Sequence, residues 1–353
     1  MMNSNIFNLT NLLAILISLA ISVVLVPLVI KLAVKNGAVD NPKSASRKIH
    51  QLPTPLLGGL PIFISFFIGL FVFRFFGLAN FSLISDNFIL ALFISSLLIM
   101  IGGVLDDKYS LRPWQQIIWP IGATLVVLLA GMRIGYISNP FGTELNTIIY
   151  LSPIFGMILS FFWLMGMMYT TKFLDGLDGL VAGISMIASA VIFFLSQNWD
   201  VQNSATGVMA LLLLGATLGF WIFNWRPAKI FLGEGGSIFL GFILGVLSII
   251  SGSKISTTLL VMGIPALDVL WVIIQRLSHH ESPFSHADKK HLHFRLLDLG
   301  FSKVGAVLFL YFVALSFGLI AVWSDSWGKI IGLFVLLLIM IFLITYTYKN
   351  NKK

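Results

Sequence analysis

The chain has 353 residues, of which 58% are hydrophobic and only 10% charged, and its mean hydropathy is +0.97. Soluble domains carry about 25% charged residues, so a chain this poor in charge cannot cover a water-facing surface and takes lipid as its main solvent. The absence of cysteine excludes disulfides, thiolate metal sites and thiol nucleophiles, and in a membrane protein the net charge of +8 reads as basic loops facing anionic lipid and nucleotide, not as a nucleic-acid surface.

A helix needs about 20 apolar residues to cross a bilayer, and that ruler predicts eleven spans in a single integral-membrane domain covering 1–353. Only helices suit the hydrocarbon core, which cannot hydrate an open backbone. The first span, 8–34, is too long for a signal-peptide core and lacks a small-residue cleavage site. It leads into a basic, proline-punctuated loop that runs from Asp40-Asn41-Pro42-Lys43 through Arg47-Lys48-Ile49-His50 to Pro53-Thr54-Pro55-Leu56-Leu57-Gly58-Gly59. Its plainest role is to set topology and attract lipid headgroups.

Spans 57–77 and 87–105 follow, and the second runs into Gly102-Gly103-Val104-Leu105-Asp106-Asp107-Lys108. Adjacent carboxylates repel each other and sit badly at the negative end of a helix dipole. They mark either a solvated helix end or a pair held beside a divalent cation or a transferable proton. After spans 114–131 and 151–171 comes the short loop Lys172-Phe173-Leu174-Asp175-Gly176-Leu177-Asp178-Gly179-Leu180. Its acids are three apart, which puts them on one face of a helical turn, and its glycines permit close backbone approach. A turn explains one Asp-Gly pair but poorly explains two.

Spans 180–197 and 205–223 lead to Asn224-Trp225-Arg226-Pro227-Ala228-Lys229-Ile230-Phe231-Leu232-Gly233-Glu234-Gly235-Gly236-Ser237. A carboxylate among glycines at a helix start suits a metal-bound phosphate, because bared amides and the dipole favour anions. Ser237 as an N-cap is the structural alternative, and Phe231 is either a stacking face or a lipid anchor. The eighth span, 237–251, is short enough to be tilted or to begin earlier. The ninth, 257–277, carries Asp268 after Pro265, an intramembrane acid that is either functional or bonded to backbone freed by the proline. The longest loop of this parity holds Ser285-His286-Ala287-Asp288-Lys289-Lys290-His291-Leu292-His293-Phe294-Arg295, a mixture fit to cradle a diphosphate. A zinc site there lacks a clear third ligand. Spans 303–323 and 328–348 close the chain, and no inverted internal repeat of the transporter kind is visible.

The loops after odd-numbered spans, with the C-terminal tail, hold all but four of the 22 basic residues, the exceptions being Arg74, Arg133, Lys254 and Lys329. The positive-inside rule therefore places the N-terminus outside and the C-terminus in the cytoplasm. The same loops carry all six histidines and most of the acids. Solubility alone does not require that bias; a single cytoplasmic site assembled from five loops does.

Taken in order, Pro-Leu-Leu-Gly-Gly, Asp-Asp, Asp-Gly-Leu-Asp-Gly-Leu, Pro-Ala-Lys-Ile-Phe and His-Leu-His resemble the polyprenyl-phosphate N-acetylhexosamine-1-phosphate transferase family. That family includes bacterial N-acetylglucosamine-1-phosphate transferases and the phospho-MurNAc-pentapeptide translocase, and the likeness runs from about Gly37 to Ser302. It implies an all-α polytopic enzyme of the bacterial cytoplasmic (inner) membrane, with its site facing the cytoplasm. The implied reaction transfers a sugar-1-phosphate, GlcNAc-1-phosphate foremost, from a UDP-sugar to undecaprenyl or a similar polyprenyl phosphate, releasing UMP. It depends on Mg²⁺, with Mn²⁺ as a substitute; a homodimer is compatible, and no nucleic acid is involved.

By the same resemblance Asp106 takes the proton of the lipid phosphate, Asp107 is its neighbour in the cleft, and Asp175 and Glu234 are associated with the metal. Asp178 and Phe231 go with the uridine, and His291, His293 and Arg295 with diphosphate and sugar. His50, Lys172 and Asn224 join the substrate-binding set. The chain departs from the family pattern at Lys172, where Asn is usual, and at Glu234, where Asp is usual. Phe294 breaks the triple histidine of the pentapeptide branch, which favours the N-acetylhexosamine branch. The rival class, a transporter or lipid flippase, expects charges near the bilayer midplane, whereas these gather at one face.

Overall fold

The computed structural model describes residues 8–42, 52–139, 148–199, 204–251, 255–278 and 291–350. In chain order the helices are α1 (Leu9–Lys35), α2 (Gly59–Phe75), α3 (Asp86–Tyr109), α4 (Pro113–Leu129), α5 (Pro153–Leu174), α6 (Leu180–Trp199), α7 (Ala205–Asn224), α8 (Gly233–Ile250), α9 (Ile255–Ser278), α10 (Leu292–Asp298), α11 (Lys303–Trp323) and α12 (Ser326–Asn350). Helices α1, α3, α5, α7 and α11 open on Asn8, Ser85, Ser152, Ser204 and Ser302, whose side chains accept from a first-turn amide and so satisfy a donor the helix leaves open.

Every predicted span falls on a helix. Among the described residues, nine helices are long and apolar enough to cross a membrane, while α2 and α4 are apolar but have 17 residues each, about 25 Å of helix. The chain is a multi-pass membrane protein. The eighth span does begin earlier than its apolar core implies, at Gly233. The spacing missed α10 and two antiparallel ladders, β1 (Val39–Asp40) with β2 (Thr54–Pro55) and β3 (Tyr136–Ser138) with β4 (Ile148–Tyr150). All of these lie between the long helices.

Helix α8 is the hub: 89% of its apolar window is buried, against 28% for α1 and 22% for α12, whose outer faces expose Leu12, Leu16, Ile331 and Phe334. Lipid tails are as apolar as leucine, so buried area alone does little to hold such helices together; close approach through small residues does. Helices α1 and α7 meet in this way, with Gly219 of α7 set against Ser22 and the Leu19 carbonyl of α1.

At one end of the bundle the loops of one parity are tied together. The amides of Gly58 and Gly59 donate to the carbonyls of Phe231 and Leu232 at 3.0 and 2.9 Å, and Phe231 N donates to Pro55 O at 2.8 Å. Asn224 accepts from Gly179 N at 3.0 Å and donates to Ile230 O at 2.8 Å. The Tyr311 hydroxyl of α11 donates to Gly179 O. The opposite end has separate ties: Ala205 N to Asn80 O at 3.0 Å, the β3–β4 ladder, and the Arg74–Asp86 ion pair at 2.7 Å.

Candidate active site

The site is built around the first turn of α8. Gly236 lies against the backbone of Gly59 on α2, and Gly103 of α3 against the backbone of Gly235. A side chain on either Gly236 or Gly103 would run into main chain, so these glycines serve helix-to-helix approach. Their packing delivers Asp107 to the α8 N-terminus, where its Oδ1 accepts from Glu234 N at 3.0 Å. One amide of the helix start that the sequence offered to a phosphate is therefore taken by a protein carboxylate. Ser237 is not the N-cap; it lies one turn into the helix, and its hydroxyl donates to the Gly233 and Glu234 carbonyls at 3.2 and 3.1 Å.

Asp106 is equally engaged. Ser110 takes a left-handed conformation, φ 51°, where α3 turns into α4, and Asp106 Oδ1 accepts from Leu111 N at 2.8 Å and from Gln116 Nε2 at 2.9 Å. The adjacent acids are thus not a solvated helix end. Lys172, in the last turn of α5, forms an ion pair with Glu234 Oε1, and both side chains are only 16% accessible. Its Nζ also donates to Gln116 Oε1 at 2.9 Å. Two of the chain's three departures from the family pattern, Lys172 and Glu234, therefore meet each other, and the Lys172 ammonium is held by protein acceptors.

Asp175 caps the C-terminal end of α5 and is exposed at the mouth of the cluster. Asp178 Oδ2 accepts from Ala228 N at 3.4 Å and lies 3.9 Å from the Arg226 guanidinium. Asn224, expected to touch substrate, has both ends of its amide engaged by backbone, which makes it a tie between two loops. Phe231 is half-buried and fixed through its main chain.

From the last loop, α10 brings His291 and His293 inward. Asp268 Oδ2 pairs with His291 Nδ1 at 2.9 Å, and its Oδ1 accepts from Leu292 N at 2.9 Å. This intramembrane acid therefore caps α10 and orients a histidine, and does not serve backbone freed by Pro265. His291 stacks between Phe173, at 5.7 Å, and His293, at 5.9 Å. His293 is 2% exposed and packs on Gly176, where any side chain would strike its ring. Burial, with the His291 charge, holds the His293 pKa down to about 3, so it can offer a hydrogen bond but no charge to an anion cradle. Arg295 is half-buried in the last turn of α10. His50 lies outside the described residues.

The structure joins Asp107, Glu234 and Lys172 by direct contact and links Asp106 to Lys172 through Gln116, with Asp175 coupled by charge to Asp107 and Glu234 and Asp178 to Asp175. Sequence reading missed Gln116, whose only signal was the polar Gln115-Gln116 pair near the start of an apolar span. No three His, Asp or Glu side chains among the described residues form a ready metal cage. Mg²⁺ does not require one, since it keeps several waters and takes one or two carboxylates plus substrate phosphates. Among the described residues of the cluster, hard oxygen donors in excess over the Lys172 ammonium fit such an ion.

The family model for glycosyl transferase family 4 matches residues 89–252, from α3 through α8. A probable undecaprenyl-phosphate N-acetylglucosaminyl 1-phosphate transferase of Bacillus subtilis is 31% identical over 337 residues, covering 94% of this chain and 89% of that one. The decaprenyl-phosphate N-acetylglucosaminephosphotransferase of Mycolicibacterium smegmatis is 31% identical over 303 residues, 79% of this chain and 73% of the other. A phospho-N-acetylmuramoyl-pentapeptide-transferase of Staphylococcus carnosus is 29% identical, with coverage of 87% and 97%. With likeness over nearly the whole length and the acidic loops converging on α8, the chain belongs to the polyprenyl-phosphate N-acetylhexosamine-1-phosphate transferase family.

Proposed function

We propose that this protein transfers N-acetylhexosamine-1-phosphate, GlcNAc-1-phosphate foremost, from a UDP-sugar to undecaprenyl or another polyprenyl phosphate at the cytoplasmic face of a bacterial inner membrane. UMP is the other product. The observation that carries the reading is the convergence of Asp106, Asp107, Lys172, Asp175 and Glu234, drawn from separate loops, on the start of the buried helix α8. Eleven crossings with the N-terminus outside put that cluster on the cytoplasmic side, where nucleotide sugars are made.

Both substrates are anions. An oxygen of the lipid phosphate attacks the phosphorus bonded to the sugar, the bond from that phosphorus to the UMP oxygen breaks, and UMP leaves with the electron pair. Asp106 takes the lipid phosphate's proton where one is present. Asp175 and Glu234 would hold Mg²⁺, which screens the diphosphate from the incoming phosphate. Asp107 braces the α8 start through the Glu234 amide. Asp178 and Phe231 face the uridine, and His291, His293 and Arg295 the diphosphate and sugar. Phe294 beside His293 favours an N-acetylhexosamine donor over the pentapeptide nucleotide.

The test is a donor panel with purified protein, undecaprenyl phosphate and Mg²⁺, including UDP-GlcNAc, UDP-GalNAc and UDP-MurNAc-pentapeptide. Labelled lipid from a UDP-N-acetylhexosamine is expected. Turnover of the pentapeptide donor alone would assign the other branch, and no labelled lipid from any donor would remove the enzyme reading.

A further inference from the structure

Gln116 is a neutral side chain placed between an anion and a cation, and both ends of its amide are used. Nε2 donates to Asp106 Oδ1 at 2.9 Å and to Leu111 O at 3.0 Å, while Oε1 accepts from Lys172 Nζ at 2.9 Å. Lysine can only donate and an ionised carboxylate can only accept, so the amide has one orientation that serves both neighbours. Lys172 in turn pairs with Glu234, so a continuous polar chain runs Asp106–Gln116–Lys172–Glu234 across α3, α4, α5 and α8. The chain borders a narrow cleft whose remaining wall is apolar, formed by Ile99, Trp119, Pro120 and Ile238 together with Gly102 and Gly103. Polar groups in such surroundings lose water as a competing partner, which makes a fully satisfied network rigid.

We propose that Gln116 is a positioning residue for the transfer reaction: it fixes the Asp106 carboxylate and the Lys172 ammonium relative to each other. This inference rests on the proposed function. Gln116 carries no charge and moves no proton. Its amide clamps Oδ1 of Asp106, leaving Oδ2 as the oxygen for the acceptor phosphate, and it keeps Lys172 on Glu234 instead of collapsing onto Asp106. Neither a carboxylate nor an ammonium at position 116 serves both neighbours, since one repels Asp106 and the other repels Lys172.

The experiment compares Gln116→Met and Gln116→Glu with the wild type, measuring kcat, the KM of each substrate and the melting temperature in detergent. Methionine matches the length without the amide, and both charged neighbours keep another partner, Leu111 N for Asp106 and Glu234 for Lys172. Gln116→Met is expected to lower kcat by about 10- to 100-fold, the scale of a misplaced catalytic group. The KM for the nucleotide sugar should stay within about threefold, as for an interaction used after binding, with an unchanged melting temperature. Gln116→Glu keeps the acceptor toward Lys172 but sets an anion against Asp106, and should lose at least as much. Wild-type kcat in Gln116→Met, or a loss of kcat in step with the melting temperature, would overturn the proposal. An inactive wild type, by contrast, strikes at the proposed function and not at Gln116.

Discussion

Carboxylates in this cluster differ by what neutralises them. Glu234 is paired with Lys172, whereas Asp175 makes no ion pair among the described residues and is surrounded by like charge. A divalent cation therefore gains most from Asp175. Asp175→Asn is expected to reduce turnover by about 100-fold or more and to raise the Mg²⁺ needed for half-maximal rate. Glu234→Asp keeps the charge on a side chain one methylene shorter, and is expected to retain turnover within about tenfold. Titrating Mg²⁺ against initial rate for both variants checks this, and an ordinary Mg²⁺ dependence in Asp175→Asn would contradict the assignment. His293 gives a stability test. Its folded-state pKa is about 3 against an ordinary 6.5, so below pH 6.5 the unfolded chain binds a proton that the folded chain refuses. Stability is full above pH 6.5 and declines as pH falls toward 3, by at most about 1.4 kcal/mol per pH unit. The melting temperature should drop between pH 7 and pH 5, and His293→Gln should flatten that drop; parallel profiles would show that His293 titrates normally. The sequence made the acids and histidines visible because charge is rare in this chain. It could not show that Glu234 meets Lys172 or that Lys172 meets Gln116, since those pairs depend on how four helices are rotated against one another.

The same limit holds for whole elements. All eleven apolar runs became helices because hydrocarbon leaves the backbone no other way to satisfy its polar groups. The seven-residue α10 and ladders of two or three residue pairs are too short to leave a periodic signal, so they were invisible until the loops were seen folded. Glycine was legible as a residue that permits close approach, but the sequence did not show which backbone each one meets. Gly236 touches the Gly59 backbone, whereas a Cβ on Gly122 of α4 would meet only Leu98 Cδ1, at 4.0 Å. Gly236→Val is thus expected to force α2 and α8 apart, at a cost of about 1–3 kcal/mol, with loss of turnover. Gly122→Ala should leave both melting temperature and rate near wild type. Equal tolerance at the two positions would mean that the α2–α8 approach does not build the site.

For the molecule as a whole, loop parity was the informative signal. The loops that carry the charge bias are also the ones joined at one end of the bundle, and both facts follow from placing phosphate chemistry on one face. The absence of cysteine makes orientation directly measurable. Ser110 and Ser82 are both exposed, at opposite ends of the bundle. A Ser82→Cys protein should react with an impermeant maleimide in intact cells, and Ser110→Cys only after the membrane is opened. The reverse pattern would put the site outside, away from nucleotide sugars. The chemistry itself is tested most directly by following the phosphorus. With UDP-GlcNAc labelled in its β-phosphate, purified protein and undecaprenyl phosphate, the account predicts that the label moves into the lipid, matched one for one by released UMP. Label remaining in UDP while the sugar alone reaches the lipid, or no transfer at all, would contradict it.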